Sequence, residues 1–237
     1  MLRDAGGVLA VAKPAGLPTQ APPGCDSAES IVRRWRFVVA ADGGGRHPGG
    51  FLGVPHRLDR PVSGVLLLAT TPRAARHLSR QFERRQVTKT YLARLGPAAG
   101  SGPALAVGDT FEWRDTVRKV PDEARAAVVA AGTADGREAV TAVRIVAITD
   151  GIVHAELAPT TGRMHQLRVQ AAARGMPVLG DTLYGSAHVW AAASADVEHR
   201  CRPIALHAWR IAFTDPDTGL PTDVTCPLPF AWDVAKP

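Results

Sequence analysis

The stretch HRLDRPVSGVLLLAT, His56 to Thr70, sets a carboxylate between two arginines, directly ahead of an apolar run. The run Gly64–Thr70 is too short for a buried helix and follows a Pro-containing turn, so it reads as a buried β-strand. Asp59, flanked by Arg57 and Arg60, then sits in the loop that feeds that strand. A carboxylate in an enclosed basic site stays ionised if a cation lies beside it, and can then act as a nucleophile or base. Spacing alone does not say which arginine supplies that cation.

Around this segment, strands and helices alternate. VLAVA, Val8 to Ala12, reads as a short strand stopped by Lys13-Pro14. SAESIVRRWRFVVAA reads as a helix with Ser27 or Ser30 as cap, and Ala41 to Gly50 as a connector. Pro72 suits a first helical position, so a second helix is expected over Pro72–Arg85. At roughly 100° per residue, Arg73, Arg76, Arg80 and Arg84 share one face and Ala75, Leu78 and Phe82 the opposite one. The stripe is either a solvated face or a surface for phosphates.

KTYLARL reads as a strand, and Gly96 to Gly108 as a loop. EAVTAVRIVAI and IVHAELAP flank Asp150-Gly151, a strong hairpin signal. In TTGRMHQLRVQAAARGMP, the threonines are expected to cap a helix that Gly175 and Pro177 end. The tail alternates loops with short strands such as RIAFTD. Most of these connections are too short for parallel crossovers. The fold expected is α+β, with a mixed, largely antiparallel sheet and flanking helices and loops.

Composition narrows the function. The 237 residues suffice for one large domain, and the apolar fraction of 46% is ordinary for a globular core. No apolar run approaches the roughly 20 residues of a membrane span, and the N-terminus has no signal-peptide pattern. A cytoplasmic protein without a membrane partner is the expectation. The net charge is +6, carried almost entirely by arginine, and the pI is about 9.8. Arginine forks onto phosphates and stacks on bases, so the charge balance favours a nucleic-acid partner. Cys25, Cys201 and Cys226 have no disulfide or zinc spacing and read as reduced, mostly buried thiols. No Walker or G-x-G-x-x-G loop, no G-x-S-x-G elbow and no metal-ligand cluster is present, so no cofactor and no metal are indicated. A zinc-dependent base deaminase lacks its ligands here.

HRLDRPVSGVLLLA resembles the segment of the RluA-type pseudouridine synthases that carries the catalytic aspartate. Further segments resemble that family in the same order: VAKPAGLPT, QFERRQVTKTYLARL, GREAVTAVRIV, TGRMHQLRVQAAARGMPVLGDTLYG and IALHAWRIAF. They span about Val8 to Phe213. The resemblance implies a pseudouridine-synthase fold with a cleft across the sheet, and conversion of uridine to pseudouridine in structured ribosomal or transfer RNA without cofactor. One catalytic domain over residues 1–237 is expected, with no separate N-terminal RNA-binding domain; nothing in the sequence marks an interface, and a monomer is favoured.

By position in these motifs, Asp59 matches the catalytic aspartate, Tyr91 a tyrosine that stacks on uracil, and Arg168 the arginine paired with the aspartate. Leu167 matches an apolar pocket residue, and Arg57 a side chain that fills the gap left by a flipped nucleotide. Arg60, Arg163, Lys89 and the Arg73, Arg76, Arg80, Arg84 stripe become candidate RNA contacts. His56 and His165 are expected to fix loops through hydrogen bonds, His165 at the RNA-facing site. Pro61-Val62, Met164, Gln170 and Ala12 depart from the residues common in the family. A protein that keeps the fold but serves as an RNA-binding protein or RNA-folding chaperone is the rival reading.

Overall fold

The computed structural model describes residues 1–37, 50–96, 105–188, 190, 201–229 and 232. Its centre is a ten-stranded mixed sheet in the order β1-β2-β3-β9-β4-β8-β7-β5-β6, with β10 also paired to β9. The strands are β1 (Arg3–Ala5), β2 (Val8–Lys13), β3 (Ser63–Ala69), β4 (Thr88–Leu95), β5 (Thr110–Lys119), β6 (Ala126–Val129), β7 (Arg137–Thr149), β8 (Ile152–Pro159), β9 (Leu206–Thr214) and β10 (Pro221–Thr225). Among the described residues three α-helices accompany them: α1 (Ala28–Phe37), α2 (Pro72–Glu83) and α3 (Gln166–Ala173). Every strand pair is antiparallel except β3 with β9, so the α+β expectation holds.

The opening stretch behaves as its composition demands. All seven residues of β3 are buried, because the strand is covered on both faces. The Asp150-Gly151 turn closes the β7–β8 hairpin with φ of 51° and 75°, the left-handed pair a two-residue turn requires. Along β8, buried residues alternate strictly with less buried ones. Ser27 accepts from the Ser30 N–H at 3.0 Å and so caps α1.

Several expectations need correction. The threonines do not cap α3: its N-cap is His165, in the left-handed region at φ 52°, with no side-chain cap bond. Thr161 instead donates to Gln166 Oε1 and receives the Val140 N–H, tying the loop to β7. Of the expected loop Gly96 to Gly108, residues 97–104 lie outside the described residues, as do 41–49 of the connector; two strands that the sequence reading did not anticipate, β5 and β6, follow it. Those strands escape a search for apolar alternation because β5 buries chiefly Trp113 and Val117. Its other side chains include Arg114, which pairs with Glu112 and Glu138. On α2 the buried residues are Ala74, Leu78 and Gln81, while Ala75 and Phe82 pack at the margin. Of the cysteines, only Cys226 is buried; Cys25 is exposed and Cys201 half-buried.

Two large apolar clusters, with a small third one around Val117, Ala139 and Val169, hold the sheet. One gathers β2, β3, α1 and α2 around Leu9, Leu66, Leu68 and Leu78. The other gathers β4, β7, β8 and α3 around Leu95, Ile145, Leu157 and Ala171. Tyr91, on the central strand β4, packs against both. The seam between the clusters is where the candidate residues meet.

Candidate active site

The loop ahead of β3 is pinned on three sides. His56 Nε2 accepts the Leu67 N–H at 2.9 Å, and its ring stacks on Phe82 at 4.7 Å. Burial, with the Lys89 ammonium nearby, pushes the His56 pKa down to about 3, so it stays a neutral acceptor. Thr19 Oγ1 donates to the Leu58 carbonyl at 2.8 Å and accepts the Leu58 N–H at 3.0 Å. The Arg60 carbonyl receives Gly16 N–H at 2.8 Å and Lys13 Nζ at 3.3 Å.

Lys13 also donates to the carbonyls of Pro14 and Leu17, at 2.9 and 2.7 Å. It is 2% exposed, and desolvation lowers its pKa to about 7 against the opposing pull of Asp59. The KPAG segment and the HRLD loop are thus one interlocked unit.

Asp59 emerges from this unit facing α3. Arg168 Nη1 lies 3.5 Å from Asp59 Oδ2, and His165 Nε2 3.9 Å from the same oxygen. Arg168 is itself clamped by Asp181, which accepts Nε at 2.6 Å and Nη2 at 2.8 Å. The Arg168 guanidinium lies over the Tyr184 ring at 5.0 Å. Tyr184 in turn bonds His165 Nδ1 and receives the Ala126 N–H, each at 2.9 Å. Desolvation works to lower the Arg168 pKa, yet the hydrogen bond and charge of Asp181 outweigh it and raise it, so the guanidinium stays charged.

Two cavities meet at this point. One, about 690 Å3, is lined by Tyr91, Lys89, Leu167, Val62, Met164 and Arg163 among others. The second, about 620 Å3, is bordered by Arg60, Arg125, Arg202, Thr19 and Asp181. Arg57, Leu58, Asp59, His165 and Arg168 line both. The first cavity sets apolar and aromatic side chains such as Val62, Phe82, Tyr91 and Leu167 among many charged and polar ones. Burial, reinforced by Asp59, pushes the Tyr91 pKa well up, so it remains a neutral phenol. Burial lowers the Lys89 pKa.

The remaining candidates are dispersed. Arg57 is exposed at the cavity rim, and Arg60 Nη1 contacts Cys201 Sγ at 3.2 Å. Arg163 Nε donates to the Glu138 carbonyl at 2.9 Å. Arg73, Arg76, Arg80 and Arg84 are exposed along α2 and border neither of these two cavities. Among the described residues no group of three or more His, Cys, Asp or Glu side chains could hold a metal ion. No described helix is long and apolar enough to cross a membrane.

A family model described as RNA pseudouridylate synthase matches residues 7–173. The chain belongs to that family. Among relatives, it is 32% identical over 229 residues to the dual-specificity RNA pseudouridine synthase RluA of Yersinia pestis, covering 94% of this chain and 96% of the relative. It is 35% identical to tRNA pseudouridine synthase C of Salmonella typhi, over 75% of this chain and 68% of that one. The solved human RNA pseudouridylate synthase domain containing 1 has a TM-score of 0.68 at 25% identity, covering 97% of this chain and 83% of the other. Human RNA pseudouridylate synthase domain containing 4 shares the fold at TM-score 0.69 and 23% identity, over 96% and 88%. The RluA-type resemblance is therefore upheld, and the chain is an RNA pseudouridine synthase, an isomerase.

Within this synthase, sequence reasoning missed Asp181, Tyr184 and Lys13 as parts of the site. Asp181 and Tyr184 lie in GDTLYG, and Lys13 in KPAG, two of the segments that carry the resemblance. An acidic residue and a tyrosine set in a motif of small residues were the available signal. Gln170, one of the departures, is wholly buried and bonds Thr141, Asp115 and the carbonyls of Trp113 and Ala139.

Proposed function

We propose that this chain isomerises uridine in folded ribosomal or transfer RNA, with Asp59 as the catalytic carboxylate and Tyr91 and Arg168 as its partners. The observation that carries the reading is the place of Asp59, on the shared rim of two cavities and 3.5 Å from a cation anchored elsewhere. A uridine must leave the stack before its glycosidic bond is reachable, at a cost of roughly a few kcal/mol. The cavity floored by Tyr91 and Leu167 suits the extruded uracil, and the exposed Arg57 stands at its rim to fill the vacated stack.

In the reaction the C1′–N1 bond breaks and Asp59 bonds or stabilises C1′ as the base departs. The retained base turns over in its cavity, C5 bonds to C1′ as any Asp59–C1′ bond breaks and frees the carboxylate, the C5 proton leaves and N1 ends protonated. Arg168 keeps Asp59 ionised without fully pairing with it, because its two best hydrogen bonds go to Asp181. Tyr91, held neutral, contributes a stacking face and a hydrogen bond to the base. The names of the Yersinia and Salmonella relatives support an RNA substrate, transfer RNA included.

The test is tritium release from C5-labelled, unmodified ribosomal and transfer RNA by wild type and Asp59→Asn. Release by wild type alone is expected. Release by both would remove Asp59 from its role. Release by neither, with RNA still bound, would favour an RNA-binding or RNA-folding protein.

A further inference from the structure

The geometry points to Tyr184 as a positioning residue that decides which nitrogen of His165 carries the proton, and so what Asp59 faces. This deepens the proposed synthase reaction and rests on it for its kinetic arm. A phenol has one hydrogen to give and two lone pairs to fill. The Ala126 peptide N–H lies 2.9 Å from the Tyr184 oxygen and can only donate. His165 Nδ1 lies 2.9 Å from the same oxygen. Among the described residues the hydroxyl has no other acceptor for its hydrogen. In the proposed arrangement the phenol donates to Nδ1, and His165 carries its own proton on Nε2.

That nitrogen is the one that looks at Asp59, 3.9 Å from Oδ2. The carboxylate thus meets an N–H dipole; the other tautomer would turn a lone pair on it. The groups that face the imidazole are Asp59, Arg168, Asp181 and Arg57, and desolvation is the largest influence, favouring the neutral ring. The same tyrosine supports Arg168 from below, its ring 5.0 Å from the guanidinium carbon. Ala126 opens β6, just after Glu123, Ala124 and Arg125, which border the 620 Å3 cavity. One tyrosine therefore joins the tip of the β5–β6 hairpin to both groups that face Asp59, through its hydroxyl to His165 and through its ring to Arg168.

The experiment is a 15N–1H correlation spectrum of the histidine rings in the full chain at neutral pH, with His165 assigned from the His165→Gln variant. Wild type should show the Nε2–H form at His165, and Tyr184→Phe should lose that preference. An Nδ1–H form in wild type would overturn the proposal without need of any variant. So would a tautomer unchanged by Tyr184→Phe. In the tritium-release assay, Tyr184→Phe should lower kcat about tenfold, the cost of one misdirected hydrogen bond, with KM for RNA within about twofold. A loss confined to thermal stability, or to KM, would mark Tyr184 as scaffold only. If wild type releases no tritium, the synthase reading fails while the spectra still decide the tautomer.

Discussion

Arg168 Nη1 stands 3.5 Å from the Asp59 carboxylate, at the outer limit of a hydrogen bond. The distance is set from behind: Asp181 holds Nε and Nη2 at 2.6 and 2.8 Å, and it is almost fully buried. The fork of the guanidinium is spent on Asp181, and only its remaining edge reaches Asp59, the carboxylate proposed to react. A fully paired Asp59 would be a poor nucleophile, whereas an isolated one would tend to take up a proton in a partly closed site. The arrangement lies between these limits.

The two aspartates should therefore separate in their effects. Asp181→Ala leaves Arg168 charged and buried without its main partner, which costs about 3–5 kcal/mol. Asp59→Asn alters a partly exposed group with long contacts and should change stability by less than about 1 kcal/mol. Urea unfolding of both variants, beside tritium release, checks this. Equal destabilisation by the two would contradict the division of labour.

Lys13 supplies a pH test. In the unfolded chain its pKa is near the model-compound value of 10.5, and in the folded one it falls to about 7. Below pH 7 the group is charged in both states, and folding bears the whole desolvation cost. Between pH 7 and 10.5 the unfolded chain holds the proton that the folded chain has released, so this group makes stability rise with pH. Wild type should gain on Lys13→Met by about 1.4 kcal/mol per pH unit in that window, since other groups titrate alike in both. Urea midpoints at pH 6, 8 and 9.5 measure the difference; a gap independent of pH would refute the buried, neutralised lysine.

What sequence reading reached, and what it did not, follows from range. The buried strand β3, the Pro72 start of α2 and the Asp150-Gly151 turn are dictated by residues within a few positions of one another, and each appears as expected. The strands β5 and β6 do not, because β5 gains its place through pairing with β7 and keeps most of its polar side chains outward. Asp59, Tyr91 and Arg168 do converge on one cleft, but only through motifs already associated with a family. The Asp181 clamp, the Tyr184 bridge and the Lys13 staple are distances in space, 13 to 58 residues apart along the chain, and periodicity carries no trace of them.

At the junction of β3 and β9 the chain leaves no room for a side chain. Gly64 has φ of 129°, and a Cβ there would lie 2.3 Å from the Ala208 carbonyl oxygen. Beside it, Ser63 Oγ and His207 Nδ1 bond at 2.8 Å. Gly64→Ala must part the only parallel pair among the described strands, just after the Asp59 loop, at a cost of more than about 3 kcal/mol. Gly151→Ala shares the positive φ, at 75°, but has nothing within 4 Å, so it should cost only about 1 kcal/mol. Thermal melts of the two variants compare strain with collision; similar losses would mean β3 can shift to make room.

The arginine stripe of α2 is the last point on which charge and geometry can be set against each other. Arg73, Arg76, Arg80 and Arg84 are exposed, and no carboxylate forms a salt bridge with them among the described residues. Each arginine that neutralises a phosphate releases counterions and steepens the fall of affinity with salt. If the stripe grips the RNA flank, Arg76→Ala with Arg80→Ala should weaken binding severalfold and flatten the slope of log K against log salt by about 1–2. The kcat should stay unchanged, because neither residue borders the cavities that meet at Asp59. Filter binding across a salt series reads the slope directly, and a slope identical to wild type would make the stripe a solvated helix face.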